Sequence, residues 1–321
     1  MTHDDTGGSV PALRTTGLGK RYGRQVWGLR DCSLTIPPGA VVGRVGPNGA
    51  GKTTLLEMII GLLQPTEGQI EVFGHTARAN KAESLARVGY VAQNHPLYPE
   101  FSVADMFRLG QAMNPNWDMG MARARMEAFD FPLKRKIKTL SGGQQAQVSL
   151  AMALAKRAPL LVLDEPVASL DPVARLEFMR EVMAQVAGGG PTVIIASHVV
   201  GELERFCDWL VVLTHGHVQL AGPVDELLDE HRLLTVPRAT SDADLPGTPI
   251  HRTDSDRHSS VVLRTNPPSP EAQPHPDWRA EAVGFEQLVL AYLQRPARAP
   301  GFPSPAREAQ PPGPTTKVMS R

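Results

Sequence analysis

Residues 40–60 have the sequence AVVGRVGPNGAGKTTLLEMII, in which a short apolar run leads through a glycine-rich loop into a helical pattern. The loop matches the phosphate-binding pattern G-x-x-x-x-G-K-[ST] and consists of Gly46, Pro47, Asn48, Gly49, Ala50, Gly51, Lys52 and Thr53. A strand, this loop and a helix predict an anion site of inward-facing amides at the positive end of a helix. We expect a Cβ atom at Gly49 or Gly51 to occupy the space that phosphate oxygens need. The alternative, a glycine turn before an ordinary helix, is disfavoured because the loop has the expected strand and helix on either side.

A second motif follows an apolar run that begins at Leu160. The run ends in two carboxylates, Asp164 and Glu165, and the carboxyl ends of strands are where ligands bind in open α/β sheets. We expect Lys52 to reach the β- and γ-phosphates, and Thr53 and Asp164 to serve a Mg²⁺ ion. Glu165 is placed to act as a general base on an attacking water. An acidic turn after an ordinary strand is the simpler interpretation of this motif taken alone.

Length and composition narrow the class of protein. The chain has 321 residues, 33 Lys plus Arg and 33 Asp plus Glu, so no global field favours nucleic acid or an anionic lipid surface. The two cysteines, Cys32 and Cys207, have neither disulfide-framework nor zinc spacing, which fits a reducing cytosol. The sequence has no apolar run long enough to span a membrane and no secretory pattern at its start.

Composition also divides the chain. Residues 13 to about 230 alternate β-branched runs with helical patterns, which predicts an α/β domain with a largely parallel sheet. Twelve of the 29 prolines fall within 267–276 and 296–314. Between these windows, apolar residues at helical spacing predict a short helix over 284–295, which could dimerise or regulate but is explained more simply by packing within its own small domain. We therefore expect a disordered segment over 1–12, the α/β domain with the phosphate loop over 13–236, a small α+β accessory domain over 237–295 and a disordered proline-rich tail over 296–321.

A third motif carries a family resemblance. Leu140 precedes Ser141, Gly142, Gly143 and Gln144, about 20 residues before Asp164, and a mostly apolar helical stretch follows. With the loop from Gly46 to Thr54, this string resembles the nucleotide-binding subunit of ATP-binding-cassette (ABC) transporters. The resemblance covers roughly residues 13 to 236, about two thirds of the chain. It implies a P-loop ATPase core with a helical subdomain over about 94–155.

The resemblance implies roles for further residues. Tyr22 is similar to the aromatic that stacks on adenine, Gln93 to the glutamine that senses Mg²⁺ and the γ-phosphate, and His198 to the switch histidine. Asp171 resembles the loop that crosses a dimer interface, and Ser141, Gly142, Gly143 and Gln144 resemble a second phosphate-binding surface. Taken alone, Tyr22 is equally a turn tyrosine and His198 a structural histidine.

The same resemblance implies partners. Two ATPase subunits, identical or different, would pack head to tail so that each ATP lies between the loop of one and Ser141 of the other. An integral membrane permease would transmit the work, and the chain would be cytoplasmic, on the inner face of the plasma membrane. The stretch 113–118 is similar to subunits paired with ABC-2-type permeases, commonly exporters. Trp117 within it has a simpler interpretation, packing in the helical subdomain.

Two alternatives have sequence tests. A cytosolic ABC protein acting on ribosomes or nucleic acid would resemble relatives with two cassettes or a long coiled coil, which this sequence lacks. A binding module without turnover conflicts with Glu165 and His198 at catalytic positions. The basic run 134–138 is expected to be a solvated face rather than a nucleic-acid patch, since no aromatics interleave it and the net charge is zero. The string 140–144 is the signature motif of the family. Where many family members carry an arginine after its glutamine, this chain has 145–147 as Gln-Ala-Gln, which puts a salt bridge there in doubt.

Overall fold

The structure is a computed structural model that describes residues 9–23, 25–78, 81–168, 170–197, 199–265 and 277–295. No helix within these ranges is long and apolar enough to cross a membrane. The tail expected over 296–321 and residues 1–8 lie outside the described residues. Ala12, which the predicted N-terminal disordered segment includes, is fully buried and donates its backbone N–H to Ile36, so the fold begins before Leu13.

The strands and helices follow the alternation that the sequence predicts. In chain order the strands are β1 (Leu13–Tyr22), β2 (Val26–Ile36), β3 (Val41–Val45), β4 (Glu67–Val72), β5 (His75–Thr76), β6 (Val88–Val91), β7 (Leu160–Asp164), β8 (Thr192–Ala196), β9 (Trp209–Thr214), β10 (His217–Pro223), β11 (His231–Pro237), β12 (Thr248–Asp254), β13 (His258–Arg264) and β14 (Arg279–Ala282). The helices are α1 (Lys52–Ile59), α2 (Ala82–Ala86), α3 (Val103–Met113), α4 (Met119–Glu127), α5 (Gly142–Ala155), α6 (Pro172–Ala187), α7 (Val200–Phe206), α8 (Val224–Asp229) and α9 (Phe285–Leu293).

A six-stranded sheet forms the centre, in the order β10-β9-β3-β8-β7-β6. Strands β9, β3, β8, β7 and β6 are parallel, and β10 is the antiparallel edge. Every residue of β3 and β8 is buried, as expected for parallel strands covered on both faces. This sheet confirms the predicted α/β class. A second, antiparallel sheet, β2-β1-β4-β5, contributes apolar residues to the same core as α1.

The helical subdomain consists of α3, α4 and α5, packed around a core of its own. Trp117 packs against this core, with its ring centroid 6.4 Å from that of Phe107. A Cβ atom at Gly110 would lie 2.3 Å from the Trp117 ring, so only glycine admits the indole there. The simpler interpretation of Trp117, packing within this subdomain, is confirmed.

The C-terminal unit is a four-stranded antiparallel sheet, β12-β13-β11-β14, with α9. The boundary predicted after residue 236 falls inside β11, whose partners are β13 and β14, so all of β11 belongs to this sheet. The predicted helix over 284–295 is confirmed as α9. The prediction that this helix packs within its own domain is only partly correct, because α9 contacts α7 and β9 of the ATPase core as well as β12. Phe285, Leu288, Val289 and Tyr292 join the same apolar core as Leu203 and Leu210.

Candidate nucleotide site

The glycines of the phosphate loop are required for two different reasons. Gly51 has φ +93°, and a Cβ atom there would lie 2.3 Å from the carbonyl oxygen of Gly28. The expectation that Gly51 leaves room for phosphate is therefore wrong: it leaves room for the neighbouring backbone. Gly49 has φ +79° and no atom within 4 Å of a built Cβ, so the space beside it is open to a ligand. A left-handed backbone favours glycine at both positions.

Lys52 begins α1 and folds back over the loop. Its Nζ donates to the carbonyl oxygens of Gly46 at 2.7 Å and Pro47 at 3.0 Å. Burial, and next the neighbouring charge of Arg44, lower the pKa of Lys52. An anion entering beside Gly49 would offer this ammonium a stronger partner than two neutral carbonyls.

Tyr22 lies at the edge of the loop. Its hydroxyl is 3.2 Å from that of buried Thr54, and its ring fills the space in front of Gly28, where a Cβ would lie 2.6 Å from Tyr22 Cε2. The side chain is 42% exposed, so its ring is available to a planar ligand. Thr53 is exposed next to Lys52.

The two carboxylates lie at the carboxyl end of β7. Asp164 is half-buried at the strand's last position, and Glu165 follows in a left-handed conformation with φ +50°. The Glu165 backbone N–H donates to the Ala196 carbonyl at 3.1 Å, which ties the turn to β8. Such a conformation costs about 1 kcal/mol or more in a residue with a side chain, and it is found at functional sites.

Arg44 is a residue of the site to which the sequence analysis assigned no role. It lies on β3 with 2% of its side chain exposed, and its Nη2 is 3.7 Å from Asp164 Oδ1. Burial lowers the pKa of Arg44 to about 10, with Asp164 and Glu165 opposing the shift, so the guanidinium is charged at neutral pH. The available signal was a charged residue inside the apolar run 40–45.

Gln93 and the loop around it end β6. Gln93 is exposed, and His95 closes a turn after it with φ +42° and its N–H on the Ala92 carbonyl at 3.1 Å. His198 lies outside the described residues, so its role stays a prediction. Just before it, buried Ser197 accepts from the Val199 N–H at 3.0 Å.

The signature residues begin α5. Ser141 and Gln144 form a capping box: the Ser141 Oγ accepts from the Gln144 N–H at 3.2 Å, and the Gln144 side chain accepts from the Ser141 N–H at 3.0 Å. Ser141 and Gly142 are exposed and Gly143 is half-buried. Asp171 likewise caps α6, accepting from Val173 and Ala174 at 3.0 and 3.1 Å. Both motifs thus have a local structural role besides any contact with a partner.

Comparison with known proteins identifies the family. The family model described as ABC transporter matches residues 29–168. The Nod factor export ATP-binding protein I of Ralstonia nicotianae is 35% identical over 230 residues, 69% of this chain and 70% of that protein. The chain belongs to the ABC transporter family, as an ATP-binding subunit. A bacterial ABC transporter cassette solved as a dimer superimposes with a TM-score of 0.60 at 25% identity over 66% of this chain and 98% of that one. The P-loop ATPase fold is confirmed, and this ABC subunit is an ATP-hydrolysing transport ATPase.

ABC subunits for both directions of transport are among the relatives. The sulfate/thiosulfate import ATP-binding protein CysA of Brucella melitensis is 34% identical over 227 residues, 68% of this chain and 63% of that protein. Its identity is close to that of the Nod factor export protein, so identity alone does not separate export from import.

In this ABC subunit, an arginine of another helix takes the place of the arginine that is missing at 145–147. Arg125 on α4 is 4% exposed; its Nη1 lies 2.6 Å from Glu181 Oε1 on α6, and its Nη2 donates to Gln147 Oε1 at 2.8 Å. A salt bridge therefore joins α4 to α6 beside the signature helix although residue 147 is glutamine. The single-sequence pattern contained no sign of it, because the three helices meet only in the fold.

The basic run 134–138 is partly neutralised. Lys136 and Lys138 pair with Glu100 at 3.2 and 2.8 Å, all three side chains being exposed. Arg135 donates to the Thr139 carbonyl at 2.9 Å. These contacts favour the interpretation as a solvated face.

Proposed function

We propose that two ATPase subunits, two copies of this chain or this chain and a relative, pack head to tail around Mg-ATP and hydrolyse it to drive export through a separate permease of ABC-2 type. The observation that carries this proposal is that the phosphate loop and the signature serve opposite faces of the central sheet. ATP held by one chain would then meet the signature of another.

Alternation along the strands supports the opposite placement. Leu55 of α1 shares an apolar core with Val42 of β3, whereas Leu150 of α5 shares a different core with Val41. Neighbouring residues of a strand point to opposite faces, so α1 and α5 cover opposite sides of the sheet. The phosphate loop begins α1 and Ser141 begins α5, and each presents a helix N-terminus suited to anions.

The residues present fit a magnesium-bound nucleotide. The donors at the site are a hydroxyl, an amide and a carboxylate, and these suit Mg²⁺, since that ion takes one or two protein ligands and fills its shell with phosphate oxygens and water. Thr53, Asp164 and Gln93 are the candidates to hold it. Held there, the ion would neutralise negative charge that develops on the phosphate oxygens.

The chain's own residues would do the rest. Lys52 would move from the carbonyls of Gly46 and Pro47 to the phosphates, and the amides around Gly49 would hold them in the open space there. Glu165 would accept a proton from the attacking water, with its position determined by the backbone bond to Ala196. Tyr22 would stack on the base. Release of the γ-phosphate would remove the affinity that holds the closed pair together.

Export through an ABC-2-type permease is supported by two observations. Several of the relatives are named for Nod factor export, and stretch 113–118 is similar to subunits paired with ABC-2-type permeases. Because one relative is named for import, the direction of transport needs an experiment of its own. Co-purification from membranes should recover a multi-span permease; recovery with ribosomes only would favour the alternative. Inverted and right-side-out vesicles carrying the complex would then assign direction.

The Glu165→Gln variant tests the composite site. It should bind ATP with unchanged affinity, accumulate as a nucleotide-bound dimer in size-exclusion chromatography, and lose at least about 100-fold of hydrolysis. Glu177→Gln, an exposed position on α6, is the matched control and should behave as wild type. Turnover of Glu165→Gln near the wild-type rate would contradict its role. Mixing Ser141→Arg with Lys52→Ala chains should restore one competent site; no recovery in verified mixed dimers would contradict the head-to-tail arrangement.

A further inference from the structure

Arg44 is a buried cation with few partners. It lies in β3, all of whose residues are buried, and within the described part of the chain none of its guanidinium nitrogens has a hydrogen-bond acceptor. Burying a guanidinium costs several kcal/mol unless charge and hydrogen bonds compensate. An apolar side chain would suit this strand better for stability alone, so the residue calls for a functional explanation.

Strand register aims Arg44 at Asp164. Arg44 pairs with Ala196 across β3 and β8, and Ala196 pairs with Asp164 across β8 and β7. The three residues therefore stand side by side on one face of the sheet. Because the middle residue is alanine, the guanidinium can extend across β8, where its Nη2 reaches to 3.7 Å from Asp164 Oδ1.

The same charge acts on the phosphate loop. Arg44 contributes to lowering the pKa of Lys52, as expected for a like charge beneath the loop. Without Arg44, the charges of Lys52, Asp164 and Glu165 sum to one negative charge; with it, they balance. A triphosphate carries several negative charges, so the balance decides how strongly the site repels it before a metal binds.

We propose that Arg44 is a positioning residue that neutralises Asp164 from inside the sheet and thereby makes ATP binding depend less on Mg²⁺ than it would with an apolar residue. This inference rests on the Mg-nucleotide site proposed above. It concerns the balance of fixed charge and adds no contact between Arg44 and the nucleotide.

The test is ATP affinity, measured by calorimetry in EDTA and in saturating Mg²⁺, for wild type, Arg44→Met and Arg44→Lys. In Arg44→Met, the dissociation constant in EDTA should rise about tenfold while that in Mg²⁺ changes less than about threefold. Arg44→Lys keeps the charge and should keep the wild-type ratio of the two constants. Arg125→Met removes another buried arginine, whose partners Glu181 and Gln147 lie on α6 and α5, and should also keep it.

Each result is decisive. An unchanged ratio in folded Arg44→Met, or a ratio in Arg44→Lys that matches Arg44→Met, overturns the inference. If Arg44→Met does not fold, wild type serves: EDTA should weaken its ATP binding by less than about 100-fold, and any larger loss overturns the inference. A wild-type chain that binds no ATP in either condition contradicts the proposed function instead.

Discussion

Arg125 of α4, which is buried, and Glu181 of α6, which is 38% exposed, form an ion pair with Nη1 2.6 Å from Oε1. The pair joins the helical subdomain to α6, the helix that Asp171 caps. Gln147 of α5, the signature helix, accepts a hydrogen bond from the second guanidinium nitrogen. If the signature helix moves relative to α6, Arg125 must either lose one of these two contacts or move together with both helices. The pair is therefore a structural link between two elements of the proposed composite site.

Arg125→Met should lower the free energy of unfolding by about 2 kcal/mol. Removing the buried arginine leaves the Glu181 charge without its partner, but Glu181 is 38% exposed and regains water, which reduces the cost. Arg123→Met, an exposed position on the same helix, should change it by less than about 0.5 kcal/mol. Urea titrations give the free energy of unfolding of both variants. Equal losses would contradict a stabilising role for the Arg125–Glu181 pair.

Two loop glycines should respond unequally to alanine. Gly51→Ala puts a Cβ atom 2.3 Å from the Gly28 carbonyl and should cost at least about 3 kcal/mol of unfolding free energy. Gly49→Ala meets no atom within 4 Å and should cost about 1 kcal/mol, from its positive φ alone. Thermal unfolding without nucleotide separates the two. A larger loss in Gly49→Ala would contradict the close approach of Gly28.

The free energy of unfolding should depend on pH through the buried side chain of His231. This fully buried ring has Nδ1 2.6 Å from the Leu227 carbonyl and Nε2 2.9 Å from the Tyr292 hydroxyl. Burial lowers the pKa of His231, with nearby Arg264 acting the same way and the Leu227 bond and Glu230 opposing. The unfolded chain therefore binds the proton better, so the contribution is complete above pH 6.5, the ordinary value, and is lost as pH falls toward the folded pKa.

The measurement compares wild type with His231→Gln across this range. Their difference in unfolding free energy should shrink below pH 6.5, with a slope of at most about 1.4 kcal/mol per pH unit. His258→Gln, at an exposed position in β13, is the control and should leave the wild-type pH profile unchanged. A pH-independent difference for His231→Gln would mean that the folded and unfolded chains bind the imidazole proton equally well, and would contradict the lowered pKa of His231.

Two leucines of α9 test how much its packing on the ATPase core stabilises the protein. Leu288 is fully buried and Leu290 is 41% exposed on the same helix. Leu288→Ala should cost about 2–5 kcal/mol of unfolding free energy, whereas Leu290→Ala should cost less than about 0.5 kcal/mol. If Leu288→Ala releases only the C-terminal sheet, hydrogen exchange in β9 should not change. We expect faster exchange there, because α9 covers β9.

Much of the site follows from short-range pattern. The loop 46–53 lies between β3 and α1, and Asp164 and Glu165 end β7, as the local sequence predicts. These features depend on glycine conformation, apolar runs and helix starts, all of which act over a few residues. The reason for Gly51 was nevertheless wrong, because Gly28 comes from a distant strand that only the fold brings near.

By itself, the sequence determined the order of strand, loop and helix, the carboxylates after an apolar run, and the apolar face of α9, since each is written in neighbouring residues. Only the tertiary structure decided that Arg44 meets Asp164 across Ala196, that Arg125 supplies the charge beside Gln147, and that α9 packs on α7 and β9. These contacts depend on strand register and on which helices share a core. Register and helix packing are determined by the whole set of buried side chains at once, and no local window of sequence contains that set.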